Sequence, residues 1–447
     1  MNTTYSETRR QLVHIGMSVF ALALVALTWW QAALAAVAAL LFNAFVLPAI
    51  GGRAIVRPVD AMRGYPLGIL LYPLAVLLLI LAFPTRPDIA ASAWGIMAFG
   101  DGMSTLVGRR FGRHPLPWNP AKTVEGTCAF VAAGSAAGIG LAWWTAPALT
   151  VAPGFWFLVA APAVAAIAAG LAETVPIELD DNITVPAVAA AVLWVASLMT
   201  AAAWEANRDA VTANLIPALA VNTAAALGGW AARTVRVSGM LTGWAIGLTV
   251  YAALGWRGWA LLFVMFLAGT LVSKLGATRK SLLGIAEERG GRRGGGNAWA
   301  NTGLAAVAAL AAVLTPERDG AMVAFVAVLA TGGSDTVASE IGKAWGGKTY
   351  LPTSLAEVRP GTPGAMSLEG TAAGLIGALL LSACGAWLGL IPPSLLWAVV
   401  AAATAGSLVE SALAATLEAQ GIVNNDVLNF INTATGGTVA LVIMRLL

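Results

Sequence analysis

Two segments place a carboxylate, small residues and cations at one spacing. The first is FGDGMSTLVGRRFG, residues 99–112, and the second is GSDTVASEIGKAWG, residues 333–346. With Asp101 set on Asp335, Gly108 falls on Gly342 and Gly112 on Gly346 without a gap. Downstream, KTVEGT (122–127) answers MSLEGT (366–371), and Glu173 stands eight residues before Asp181 as Glu418 does before Asp426. Carboxylates that converge beside lysines and arginines suit a magnesium–polyphosphate complex. Mg²⁺ takes one or two carboxylates plus phosphate oxygens, and basic groups neutralise the remaining charge. Glycines let backbone N–H groups approach phosphates.

On this reading the candidate metal ligands are Asp101, Asp181 and Asn182 in the first copy and Asp335, Asn425 and Asp426 in the second. Arg109, Lys122 and Thr123, with Lys280, Asn297, Asn301, Lys343 and Arg359, are candidate nucleotide and phosphate contacts. Glu125, Glu173, Glu369 and Glu418 are candidate catalytic carboxylates. Plainer readings stand beside these. The glycine pairs at 108/112 and 342/346 are small-xxx-small patterns that also serve helix packing. His14 reads as structural, Glu410 as a buried hydrogen-bonded acid, and Cys128 and Cys384 as buried small hydrophobes. GKAWGGKT (342–349) fits the phosphate-loop pattern, but that loop needs a strand before it and a helix after it, and here an apolar run precedes it.

The elements that must position these residues are membrane helices. The chain has 447 residues, 59% hydrophobic and 11% charged, against roughly 25% charged in an average soluble domain. Apolar runs long enough to cross a bilayer recur from end to end. Fifteen spans are predicted, seven from 12–29 to 184–204 and eight from 214–231 to 427–445. The first, Leu12 to Thr28, resembles a signal peptide but reads as a retained helix, because no clear cleavage site follows it. With the N-terminus inside, only Arg86, Arg208, Arg257, Arg318 and Arg445 of the 25 basic residues fall outside, as the positive-inside rule favours. The fold class expected is therefore an all-α polytopic membrane protein with two tandem pseudo-repeats. The unpaired run 214–231 lets both copies share one orientation, their motifs facing the cytoplasm. The expected divisions are 1–205, a linker with an extra span at 206–236, and 237–447, in a bacterial inner membrane.

The motifs GDGMSTLVGRRFG, KTVEGT and ELDDNITVP resemble those of dolichol kinase, phytol kinase and cytidylyltransferase-like membrane enzymes, over about residues 5–205. NAWANTG, GGSDTVASEIGKAWG, VRPGTPGAMSLEGT and NNDVLNFINTATGG resemble the phytyl-phosphate kinase family, over about residues 210–447. The resemblance implies a bifunctional salvage enzyme that converts an isoprenoid alcohol to its monophosphate and then to the diphosphate. It implies CTP or another nucleoside triphosphate as donor, Mg²⁺ as cofactor, and a prenyl chain lying in a groove open to lipid. Nucleic acid is not an expected partner, and the oligomeric state stays open. Two rivals remain: a cytidylyltransferase forming a CDP-lipid, and a lipid or isoprenoid transporter, which would carry charges near the bilayer midplane.

Overall fold

The computed structural model describes residues 6–47, 67–175, 180–282, 284 and 292–447. The basic loop 51–64, Glu178 and Arg289 lie outside the described residues. The chain is an integral membrane protein of the all-α class, with ten helices among the described residues long and apolar enough to cross a bilayer. Other predicted spans take different forms. The runs at 238–255 and 257–275 are recorded as one helix, Val237–Lys274, broken at Gly255, where φ is +69°. Those at 65–83 and 184–204 appear as shorter apolar helices, Gly68–Ala82 and Asp181–Ser197. The run at 12–29 begins in the helix Glu7–Gly16 and continues as a 3₁₀ segment, Met17–Val25.

The chain divides into two compact units, Met1–Ser197 and Leu198–Leu447. The first contains α1 (Glu7–Gly16), α2 (Trp29–Leu41), α3 (Leu67–Ala82), α4 (Pro87–Gly95) and α5 (Gly102–Phe111). A short hairpin follows, β1 (Pro115–Leu116) with β2 (Asn119–Thr123), then α6 (Val124–Thr145), α7 (Phe155–Glu173) and α8 (Asp181–Ser197). A π-helical segment, Ile96–Asp101, joins α4 to α5. Such segments often mark functional sites. The packing behind it turns on Phe130, which is fully buried. A Cβ at Gly100 would lie 2.7 Å from the Phe130 ring, and one at Gly170 2.9 Å from it. Only glycines admit that ring, and each lies within a turn of a carboxylate, Asp101 or Glu173.

The second unit contains α9 (Ala201–Ala231), α10 (Val237–Lys274), α11 (Ala277–Leu282), α12 (Gly295–Leu314) and α13 (Arg318–Trp345). A three-stranded sheet follows, in the order β4 (Glu357–Val358), β3 (Thr349–Tyr350), β5 (Met366–Ser367). It leads into α14 (Leu368–Trp387), α15 (Leu396–Leu413) and α16 (Asn425–Leu446). Helix α13 is the most enclosed of the candidate spans, packed by α10, α12, α14, α15 and α16. Its middle therefore reads as a continuous apolar run without an amphipathic stripe. Helix α9, expected as a linker span, packs against α10 and α12 within this unit. Cys128 is exposed and Cys384 half-buried, so neither is the fully buried small hydrophobe expected.

Candidate functional site

In the first unit three carboxylates meet. Oxygens of Asp101, Glu173 and Asp181 all lie within 4.8 Å of one another, the only such group among the described residues. Asp101 ends the π-helical segment, Glu173 ends α7 and Asp181 begins α8. Lys122, from the hairpin, places its Nζ 2.6 Å from Glu173 Oε1 and 3.5 Å from Asp181 Oδ2. The hairpin is tied to the end of α7: Trp118 Nε1 donates to Thr174 Oγ1, and Asn119 Nδ2 to the Thr174 carbonyl. Burial works against the charge on Lys122, but Asp181 and Glu173 outweigh it and raise its pKa.

Further groups surround the carboxylates. Ser104 Oγ donates to Glu173 Oε1 at 2.9 Å. Asn182 is held by Asp180, which accepts from both its backbone N–H and its side chain, while its own buried Oδ1 has no partner. His14 is buried, and its Nε2, 3.6 Å from Asp101 Oδ2, makes no hydrogen bond; the nearby Gln11 Oε1 is also unpartnered. Sequence reasoning left out Ser104 and set His14 aside as structural. The available signal for His14 was its place near the membrane surface, beside Arg9 and Arg10. Orphaned buried acceptors and three carboxylates facing one lysine are a donor set that suits a divalent cation.

The other first-unit candidates lie apart from this group. Glu125 Oε1 is 2.6 Å from His114 Nδ1, and its second oxygen accepts from the His114 backbone N–H. Thr123 caps α6, accepting from Gly126 N–H. Arg109 is exposed, with Nη1 3.9 Å from Glu7.

In the second unit, the charges of Asp335, Glu418 and Lys343 all act on Glu410. Glu418 ends a π-helical segment, Ala414–Glu418. Lys280 is buried, with Nζ 2.6 Å from Glu340 Oε2, and it also donates to the Ser273 carbonyl at 2.7 Å. Lys343 reaches the other oxygen of Glu340 at 3.2 Å and stays partly exposed. The pairing of Lys280 is internal and buried, unlike the partly exposed Lys343. Asp426 packs against Gly296 at the start of α12, and Asn425 opens α16. No third carboxylate completes a cation-sized group with Asp335 or Asp426 among the described residues. Glu369 extends toward Gly347, 3.2 Å from where a Cβ there would sit. Asn301 donates to the Asn297 carbonyl. Arg359 lines an open hollow with Lys348 and Thr362. Lys348 lies 3.3 Å from Glu357, whose hydrogen bond and charge raise its pKa. A helix precedes GKAWGGKT and a strand follows it, the reverse of a phosphate-binding loop.

The two motif copies share local geometry. Gly112 N–H donates to the Gly108 carbonyl at 3.0 Å, and Gly346 N–H to that of Gly342 at 2.8 Å. Thr123 and Ser367 cap the following helices through Gly126 and Gly370. Each cap hydroxyl lies where a Cβ on Gly108 or Gly342 would press, at 3.3 and 3.2 Å.

Residues 220–437 match the family described as integral membrane protein DUF92. The chain is 41% identical over 202 residues to an uncharacterized membrane protein of Synechocystis sp., covering 44% of this chain and 78% of that one. It is 36% identical over 220 residues to "Protein VTE6, chloroplastic" of Arabidopsis thaliana, covering 47% and 66%. A Synechocystis phytol kinase is 31% identical over 199 residues, covering 43% and 81%. No solved structure matches.

Proposed function

The chain belongs to the DUF92 family of integral membrane proteins, and from that premise we propose that it is a two-step prenol kinase. The first unit phosphorylates an isoprenoid alcohol, and the second phosphorylates the resulting monophosphate to the diphosphate. The donor is a nucleoside triphosphate, CTP foremost, drawn from the cytoplasm at a bacterial plasma membrane. The observation that carries the reading is the Asp101–Glu173–Asp181 group with Lys122 set against it. Relatives named phytol kinase add the substrate class. Each of the three relatives described above aligns with less than half of this chain, which suits two units with separate tasks.

Asp101, Glu173 and Asp181 would hold Mg²⁺, which when bound neutralises charge on the phosphate oxygens. The remaining work falls to this chain's own groups. Ser104 and Lys122 fix the Glu173 carboxylate. Lys122 offsets part of the negative charge and stays protonated, so its Nζ can donate to a phosphate oxygen. Asp181, the most exposed of the three, faces the incoming ligand. In the second unit Lys343, oriented by the Lys280–Glu340 pair, serves the phosphates, and Asp335 with Glu410 supplies the carboxylates. Phosphoryl transfer needs mainly positioning and charge neutralisation, which these groups can supply.

The test is turnover by purified protein with CTP or ATP, Mg²⁺ and a panel of prenols, the products identified by mass. Prenyl monophosphate and diphosphate with release of CDP are expected. CDP-prenol with pyrophosphate would make it a cytidylyltransferase instead, and prenol movement across vesicles without phosphorylation would make it a transporter.

A further inference from the structure

Helix α1 carries two buried polar side chains that the chemistry above leaves unused, His14 and Gln11. They stand three residues apart and so share a face of the helix. That helix packs against the π-helical segment Ile96–Asp101 and against α5. The approach depends on Gly102, because a Cβ there would collide with Ile15 Cγ1. His14 is more than nine-tenths buried. The π-helical segment meets its ring at both nitrogens. The Met97 backbone hydrogen-bonds one of them. Asp101 Oδ2 lies 3.6 Å from the other, Nε2, which has no hydrogen-bond partner. Tyr72 stands edge-on to the ring, with centroids 4.7 Å apart. Its hydroxyl donates to the His14 carbonyl at 3.2 Å and accepts from Trp94 Nε1 at 2.7 Å. One turn earlier, Gln11 Nε2 donates to Glu7 Oε1 at 3.1 Å, which leaves Gln11 Oε1 buried and unpartnered.

A neutral imidazole that donates one N–H to a backbone carbonyl presents its other nitrogen as a bare acceptor. Two acceptors that face each other in a buried place need a positive centre between them. The 3.6 Å gap between Nε2 and Asp101 Oδ2 is too long for a direct hydrogen bond. It is close to the roughly 3.0–3.4 Å that separates two ligand atoms each about 2.1 Å from one ion. A backbone carbonyl on the far ring nitrogen is also how ligating histidines are commonly oriented. We infer that His14 Nε2 and Asp101 Oδ2 hold a second divalent cation, with Asp101 bridging it to the ion among Asp101, Glu173 and Asp181. His14 is not part of that three-carboxylate group, so it serves a neighbouring position. Gln11 Oε1, on the same face of α1, is a further oxygen donor for it. The nitrogen ligand sets the class of ion, a first-row transition cation in preference to Mg²⁺. The inference rests on the proposed carboxylate site for its first ion. Paired cations are an established way to clamp the oxygens of a phosphoryl group.

The test is Mn²⁺ binding to full-length protein in nanodiscs, without nucleotide or prenol, so that no turnover is needed. Pulsed electron paramagnetic resonance of the bound Mn²⁺ should show the nitrogen coupling of a directly ligated imidazole. The chain has two histidines, and the other, His114, is exposed and paired with Glu125. Labelling with ¹⁵N-histidine should therefore change the coupling in the His114→Asn protein as it does in the unaltered one. His14→Gln should abolish the coupling and bind one Mn²⁺ fewer. If that variant does not fold, the isotope change in the His114→Asn protein decides the matter alone. Zn²⁺ should remove the coupling at concentrations at least about tenfold below those of Mg²⁺. Bound Mn²⁺ without nitrogen coupling, coupling that survives in folded His14→Gln, or displacement by Mg²⁺ as readily as by Zn²⁺ would each overturn the inference. Mn²⁺ that shows no nitrogen coupling and is lost from Asp101→Asn would remove His14 while the carboxylate site stands. Nitrogen coupling from His14 in protein that makes no prenyl phosphate would keep the second cation and remove the kinase reading.

Discussion

Lys280 Nζ lies 2.6 Å from Glu340 Oε2, and both side chains are almost wholly buried. Removing one partner of such a pair leaves an uncompensated charge, at a cost of about 3–5 kcal/mol. Lys280→Met should therefore lower the thermal midpoint of the purified protein sharply. The double variant Lys280→Met/Glu340→Leu should recover most of the loss, since well-packed apolar residues often replace a buried pair without penalty. If Lys280→Met left the midpoint unchanged while abolishing monophosphate phosphorylation, Lys280 would be a phosphate contact after all.

The two units should separate genetically. Asp101→Asn should block alcohol phosphorylation and spare phosphorylation of supplied prenyl monophosphate, because Asp101 belongs only to the first unit's carboxylate group. Asp335→Asn should let monophosphate accumulate. Loss of both activities from either substitution, in a folded protein, would leave the division of labour untenable.

Lys122 carries a pKa raised above its ordinary 10.5. Its ammonium thus contributes stability in full below that value, and the contribution is lost as pH rises through the higher folded value. The difference in thermal midpoint between the unaltered protein and Lys122→Met should be flat from about pH 7 to 10 and shrink above about 10.5. A difference that vanished near neutrality would show that the carboxylates do not hold this lysine charged.

Phe130 is wedged against Gly100 and Gly170. Phe130→Ala should cost about 3–5 kcal/mol in the first unit. It should also depress alcohol phosphorylation beyond the loss of folded protein, because the helices bearing Asp101 and Glu173 lose their spacer. Equal specific activity per folded molecule would limit Phe130 to packing.

Lys348 is exposed and paired with Glu357 outside the carboxylate group, whereas Lys343 stands in the field of Glu410. Lys343→Ala should cut the second reaction far more than Lys348→Ala, read as kcat/KM for the monophosphate. The opposite order would restore the phosphate-loop reading of GKAWGGKT.

The membrane class was determined by the sequence alone, since 59% hydrophobic residues in runs of bilayer length admit few other folds. Asp101, Glu173, Asp181 and Lys122 were also legible, because ionisable residues in such a chain are few and costly, so each stands out. The three acids also have counterparts in the second half, Asp335, Glu418 and Asp426, which made them easier to find. Tertiary structure alone decided the partners. Spacing could not say that Glu125 turns to His114 while Glu173 turns to Lys122, because both glutamates stand at helix ends and only the hairpin's docking on Thr174 separates them. Nor could it place His14 beside Asp101, a contact made by two helices far apart in the chain. Lys280 read as one more basic loop residue until packing buried it against Glu340. A cleft between α9, α10 and α12 left no periodic trace either, because an apolar side chain facing a cavity and one facing lipid are the same letter in the sequence.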